Sequence, residues 1–324
     1  MTFPVSNIIQ ILRLRNQKAS AGGGQTPTPA EQDPSKHRPS FLAAVFISLN
    51  RWSFYYVLTV LYYYTFPLEW AAELRPGWIA YVFLRNWLMM VILYEGWHWL
   101  LYEKLRHVME PYKYNPKYPT ETQNRRDRFL TTVGFFISSC YEVGMMHAFA
   151  SGKVAYYSHF WEFPLYSLLQ LYLVAYWRDL HFYLVHRFMH PWFDAKKHKH
   201  LAPLDFGRIL YTWVHSLHHK SYNTGPWSGL SMHPIEHIIY YTCTLLPLFF
   251  VLHPIHFLAN KLHADFAPLG GHDGHDEPGG GAYFHYLHHM HFECNYGTPV
   301  VPLDNLFGTF EDGSRYQKKK GTTE

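Results

Sequence analysis

His215-Ser-Leu-His218-His219 and His285-Tyr-Leu-His288-His289 are two copies of one pattern, H-x-x-H-H. Their reading decides the fold. On a helix, positions i, i+3 and i+4 share one face, so the three imidazoles of either copy can address one point. His186-Arg-Phe-Met-His190 offers the i, i+4 version, and His233-Pro-Ile-Glu236-His237 adds a fourth cluster. Of the 24 histidines, 19 lie from His181 onward. Neutral imidazole suits Fe, Zn, Cu and Ni. A zinc site takes three or four protein ligands, so eight or more clustered histidines exceed one such site and fit two ions. All-nitrogen ligation beside three scattered cysteines, Cys140, Cys243 and Cys294, argues against iron–sulfur clusters and thiolate zinc. Iron is the natural choice for two redox-active sites, while spacing alone leaves zinc and manganese open.

The region before the clusters reads as membrane. Aromatic residues make up 19% of the chain and charged residues only 16%. The mean hydropathy of −0.19 is pulled down by 26 Tyr and 11 Trp, residues that concentrate at membrane interfaces. Four apolar stretches, 41–66, 78–102, 129–150 and 160–177, each approach the ~20 residues that cross a bilayer. The fold expected is an all-α membrane protein: about four transmembrane helices over 41–177, then a helical histidine-box region over 178–312 on the cytosolic side. Glu95, His98, Glu142 and His147 fall inside spans. Such groups either line a cavity or reach for the interface from a shorter span. The loop 103–128 is rich in Lys and Arg, unlike 67–77, which places the former in the cytosol and returns the chain there before His186. A single crossing by the apolar run 238–252 would separate the clusters by a bilayer. That run, with Pro247 inside it and Pro254 after it, is therefore expected to form a re-entrant or interfacial hairpin near 238–258. Residues 1–40 read as a flexible tail, a short amphipathic helix and then a Gly- and Pro-rich linker, that is either an organellar transit peptide or a disordered cytosolic tail; 313–324 read as a basic tail. A net charge of +4 without a basic aromatic patch gives no case for nucleic acid.

The run from Arg178-Asp179 through Phe182-Tyr183 to His186 and His190 resembles the first histidine box of the fatty acid hydroxylase/sterol desaturase superfamily. His215 to His219 resembles its second box, and His233-Pro234-Ile-Glu236 the His-Pro-x-Glu that often follows. His285 to His289, with Asn295-Tyr296-Gly297 and Asp304-Asn-Leu-Phe307-Gly308-Thr309, is similar to its closing signature. The resemblance covers about residues 160 to 312. Two departures stand out: Leu184-Val185 occupy the place where the family often has Trp, and the family's isolated ligand histidine is matched by His263, with His272 and His275 as alternatives. The resemblance implies a metal set of His186, His190, His215, His218, His219, His263, His285, His288 and His289 holding two Fe ions. It implies O2-dependent hydroxylation, desaturation or other oxidation of a lipid in the endoplasmic reticulum membrane or another organellar membrane. Electrons would come from a b-type cytochrome or a ferredoxin with its reductase, since no dinucleotide or haem motif is visible. The closing signature leans to sterols; squalene epoxidation and acyl or sphingolipid hydroxylation are alternatives on the same scaffold. Asp179, Glu236 and Asp304 are expected to orient ligand rings. Two further readings compete. His233, Glu236 and His237 fit an inverted zinc-peptidase motif, although Pro234 sits inside it and the other boxes would lack a role. A membrane metal-binding scaffold without enzymatic activity is the other.

Overall fold

The computed structural model describes residues 41–115, 117–193, 200, 202–275 and 281–314. The tail expected over 1–40 and the basic residues from 315 lie outside these, as do 194–199 and 276–280. Among the described residues the chain is helical, and its only pairings of extended backbone are two isolated bridges, Lys113–His275 and Thr298–Val301.

Eight helices carry the architecture: α1 (Phe41–Tyr64), α2 (Pro76–Lys104, continuous through two π-helical stretches), α3 (Glu121–Ala150), α4 (Pro164–Phe188), α5 (Phe206–Trp213), α6 (Pro234–Tyr241), α7 (Pro254–Gly271) and α8 (Gly281–His291). Starts are written locally. Proline occupies the first turn of α2, α4, α6 and α7, where its missing N–H costs nothing. Thr120 caps α3 by accepting from the Gln123 N–H at 3.2 Å. The tripeptide His-Pro-Ile opens both α6 and α7. His233 Nδ1 accepts from the Ile235 N–H at 3.1 Å, and His253 Nδ1 from the Ile255 N–H at 3.2 Å.

Among the described residues two helices, α2 and α3, are long and apolar enough to cross a membrane; about four spans were expected. The stretch 160–177 is not one helix: a 3-10 turn over Phe160–Glu162 precedes Pro164. Only 164–177 remains as an apolar helical run, about 21 Å at 1.5 Å per residue, short of a ~30 Å hydrocarbon core. Outward faces are nonetheless apolar, with Leu61, Trp87, Ile92, Phe136, Leu165 and Leu169 exposed.

α7 is the axis of the packing. All of its residues, from Pro254 to Gly271, are buried, against α1, α3 and α4. The segment 238–258 folds back on itself. Past α6 a 3-10 stretch over Thr242–Leu248, with Pro247 inside, leads to the exposed run Leu248 to Val251, and the chain returns as α7. The arms are antiparallel and tied by side chains: the Asn260 amide donates to the Cys243 carbonyl (2.7 Å), the Tyr241 hydroxyl to Asp265 (3.0 Å), and the Tyr240 hydroxyl to the Ala264 carbonyl (2.7 Å). Deeper in the bundle four charges interlock. Glu142 pairs with Arg85 and accepts from Asn86 at 2.8 Å. Lys261 Nζ lies 3.1 Å from Glu142 and 2.8 Å from Asp265, and Asp265 also accepts from Ser138 at 2.7 Å. Of the four ionisable residues read inside spans, Glu142 belongs here. Glu95 pairs with Arg128 and accepts from Trp227, His98 stacks on Tyr102, and His147 contacts the Ala71 carbonyl.

Candidate metal centre

Two buried groups of histidines stand side by side. The first holds His186, His190, His215, His219 and His288; the second holds His218, His272, His285 and His289. In each, the potential ligand atoms lie within 4.8 Å of one another. The last turn of α4 supplies His186, and His190 follows just past its end. The 3-10 turn His215–Lys220 supplies His215, His218 and His219, and α8 supplies His285, His288 and His289. Each H-x-x-H-H element therefore serves both groups, so its three rings do not share one point as helical phasing suggested.

Backbone carbonyls set the ring tautomers. A carbonyl can only accept, so a nitrogen facing one carries the proton. His186 Nδ1 donates to the Tyr296 carbonyl and His288 Nδ1 to the Cys294 carbonyl, both at 2.6 Å. His272 Nδ1 donates to the Pro268 carbonyl at 2.9 Å. Their Nε2 atoms are left as bare lone pairs, yet each faces another Nε2: His186 to His215 at 3.0 Å, His288 to His219 at 3.2 Å, His272 to His289 at 3.1 Å. His219 Nε2 is also 3.0 Å from His215 Nε2 and 3.3 Å from His190 Nε2. One proton on His219 could satisfy only one of these three neighbours. A cation satisfies all of them. Two nitrogens 2.0–2.1 Å from an ion and this far apart subtend about 90–105° at it, so the donor set fits a metal.

Electrostatics agree. Burial depresses the His215 and His218 imidazoles to about 3 and His272 to about 4, which keeps them in the neutral form that ligates. Glu236, buried beside His215, is pushed up to about 7 by desolvation. Its Oε1 lies 2.7 Å from His215 Nδ1, the carboxylate–imidazole arrangement that orients a ligand ring and raises its basicity. Asp304 acts one step further out. It accepts from the backbone N–H groups of Tyr296 and Gly297 (2.9 and 2.8 Å) and from Thr309 (2.6 Å), fixing the loop that presents the Tyr296 carbonyl to His186. Asp179 pairs with Arg178.

Eight of the nine histidines expected as ligands lie in the two groups. His263 lies in neither group; it lines the cavity beside them, with its ring 5.0 Å from that of Tyr55. His272, weighed as an alternative, lies in the second group: the chain leaves α7 at Gly271 and the ring turns back onto the Pro268 carbonyl. The third alternative, His275, sits against Tyr102. Gly229 permits this packing, since a Cβ there would collide with the Pro268 carbonyl. The peptidase triad does not assemble. His233 caps α6, Glu236 contacts His215, and the His237 ring turns to the Leu130 carbonyl at 3.2 Å. A cavity of about 70 Å3 touches both histidine groups, through His186 and His215 on one side and His218, His272 and His285 on the other. Sequence reading missed the carbonyls of Tyr296, Cys294 and Pro268, because a backbone acceptor has no residue-type signature.

Residues 171–309 match the fatty acid hydroxylase family. The histidine-rich part of this chain is thus similar to that family. Among its relatives are a Delta(7)-sterol 5(6)-desaturase of Gibberella zeae, 25% identical over 56% of this chain and 46% of the relative, and a Delta(7)-sterol-C5(6)-desaturase of Nicotiana tabacum, 30% identical over 34% and 44%. Human lathosterol oxidase is 25% identical over 49% of this chain and 51% of the relative. The chain thus spans about half the length of the curated relatives it matches. No solved structure matches it. Both histidine groups fall within the matched residues.

Proposed function

We propose that the protein is a membrane-bound, non-haem di-iron oxidoreductase that uses O2 to oxidise a sterol-type lipid. The observation that carries this reading is the convergence of buried Nε2 atoms whose tautomers are fixed by backbone carbonyls, in two adjoining groups. His186, His190, His215, His219 and His288 would hold one ion; His218, His272, His285 and His289 would hold the other. Bound iron supplies the one-electron chemistry with O2 that amino-acid side chains lack. The chain's part is placement and exclusion. Glu236 and the carbonyls hold the rings, and the cavity wall presents a carbon between the two groups, where a displacement of an ångström changes the outcome. The sterol preference rests on the relatives, whose names are sterol desaturases and a sterol oxidase.

Membrane residence is supported by α2 and α3 and by the exposed apolar side chains of the outer helix faces, a surface too extensive for a soluble monomer. The proposed site is the endoplasmic reticulum membrane with the histidines facing the cytosol, and a cytochrome or ferredoxin chain is the proposed electron donor. The test is O2-dependent conversion of lathosterol by the protein in microsomes, with the His218→Ala/His219→Ala variant as control. Product from the parent protein and none from the variant supports the reading; conversion by the variant contradicts it.

A further inference from the structure

The ligand rings are not all held alike. His272 Nδ1 and His218 Nδ1 face the carbonyls of Pro268 and Ser231, His186 and His288 face those of Tyr296 and Cys294, and His215 faces the Glu236 carboxylate. His190 differs. Its Nε2 points at His219, so Nδ1 is its outer nitrogen, and that atom is buried without a hydrogen-bond partner. Facing it is Glu293, whose Oε1 lies 3.6 Å away, within reach but longer than a hydrogen bond.

The surrounding chain is built to keep Glu293 there. The Tyr296 hydroxyl donates to its other oxygen, Oε2, at 2.7 Å. Tyr296 is anchored in turn: Asp304 accepts from its N–H at 2.9 Å, and its ring lies 4.9 Å from that of His190. Just past the end of α8 the backbone turns at Phe292, with φ 65°. Glycine is the usual residue for a left-handed turn after a helix, and a bulky side chain there is an outlier that costs energy. Here the turn lays the Phe292 ring 4.9 Å from that of His219 and brings the next residue, Glu293, back to His190.

We propose that Glu293 is a positioning residue of the metal centre, supported by Tyr296: its carboxylate takes the Nδ1 proton of His190 as a hydrogen bond and so fixes the ring that offers Nε2 to the first ion. This rests on the two-ion reading and goes beyond it, because it makes Glu293 specific to one ion. Tyr296 then serves the first group twice, with its carbonyl at His186 and its phenol behind Glu293. The chemistry is that of Glu236 with His215, in a different setting. Glu236 lines the cavity with its side chain 2% exposed, whereas the Glu293 side chain stands outside the cavity lining and is 55% exposed. Solvent screens the outer carboxylate, which puts its effect at the lower end of the 10- to 100-fold that an outer partner contributes, at about tenfold. A mere brace for the loop after α8 would behave differently. Its loss would loosen the rings of Tyr296 and Phe292 against several histidines and would act whether or not His190 is present.

The experiment titrates Co2+ into chelator-treated full-length protein in nanodiscs against a competing chelator, and reads the visible absorption of the bound ion. His190→Ala and His272→Ala assign the two binding steps to the first and second groups. Glu293→Ala and Tyr296→Phe are each expected to weaken the first-group step, Glu293→Ala by about tenfold, and to leave the second at parental affinity. Glu293→Gln, which keeps an acceptor oxygen without the charge, should recover part of the loss. Adding Glu293→Ala to His190→Ala should weaken metal binding no further. Parental first-step affinity in Glu293→Ala, equal weakening of both steps, or a further loss in the double variant overturns this assignment and leaves the two-ion reading intact. A parent chain that binds fewer than two Co2+ ions overturns both.

Discussion

Two sets of buried polar side chains lie in this molecule, and they are built on opposite principles. Arg85, Glu142, Lys261 and Asp265 form two cations and two anions in contact, with Asn86, Ser138 and Tyr241 completing the hydrogen bonds. That set balances its own charge. The nine imidazoles of the two histidine groups are alike in charge and kind, and their lone pairs point at one another. No arrangement of protons among them satisfies every contact. A self-compensated cluster is what a structural core contains; a cluster that only an external cation can complete is what a metal centre contains.

The sharpest way to break this contrast is to remove ligands. His218→Ala with His219→Ala takes one ring from each group, and oxidation should fall to background, by more than the ~100-fold typical of losing an outer partner, while the helical circular dichroism persists. His272→Ala should cost about one ion per chain, whereas His263→Ala should leave the metal content unchanged, as elemental analysis of the purified variants would show; the reverse pattern would restore His263 as the ligand. In the ionic set the expected loss is of stability rather than of metal. Glu142→Leu leaves Lys261 and Arg85 short of a counter-charge and should destabilise the fold by about 3–5 kcal/mol. Adding Lys261→Leu should recover part of that loss, and the folded fraction of both variants should keep its full metal complement. Glu236→Gln is milder. The His215 contact survives in weaker form, and metal affinity should drop about 10- to 100-fold in a competition titration.

Acid separates the two sets least, but with a definite sign. His215 and His218 are held at about 3 in the folded chain, against an ordinary value near ~6.5 in the unfolded one. Between those values the unfolded chain binds the more protons, so their neutral burial is compatible with full stability above pH ~6.5 and is increasingly penalised as pH falls toward ~3. Chelator-treated protein should therefore melt at lower temperature at pH 5.5 than at pH 7.5. Metal-loaded protein should resist over the same interval until protons displace the ion.

Much of the centre was legible because its chemistry is carried by residue type. Imidazoles at i, i+3 and i+4 announce themselves, and so does Glu236 three residues after a His-Pro start. The division of labour within H-x-x-H-H was not legible. The pattern suggested three rings on one point, but the second copy lies on an α-helix and the first on a tighter 3-10 turn, and each splits its rings between neighbouring ions' sites. That His272 rather than His263 joins a histidine group follows from where α7 ends, which composition does not fix. In the first half, the helices fell where apolar runs predicted them. The apolar run 160–177 is interrupted at Pro164, where a 3-10 turn gives way to α4. The Lys261–Asp265 pair, four residues apart on α7, and its link to Glu142 and Arg85 emerged only with the packing.

The central claim is that two ions complete what the imidazoles cannot. Elemental analysis of protein purified without oxygen after growth with ferrous iron tests it directly, read together with anomalous scattering at the iron edge. The account predicts close to two iron atoms per chain, one within reach of His186, His215 and His288 and the other of His218, His272 and His289. A single ion, or a chain that remains metal-free and folded with full lathosterol conversion, would contradict it.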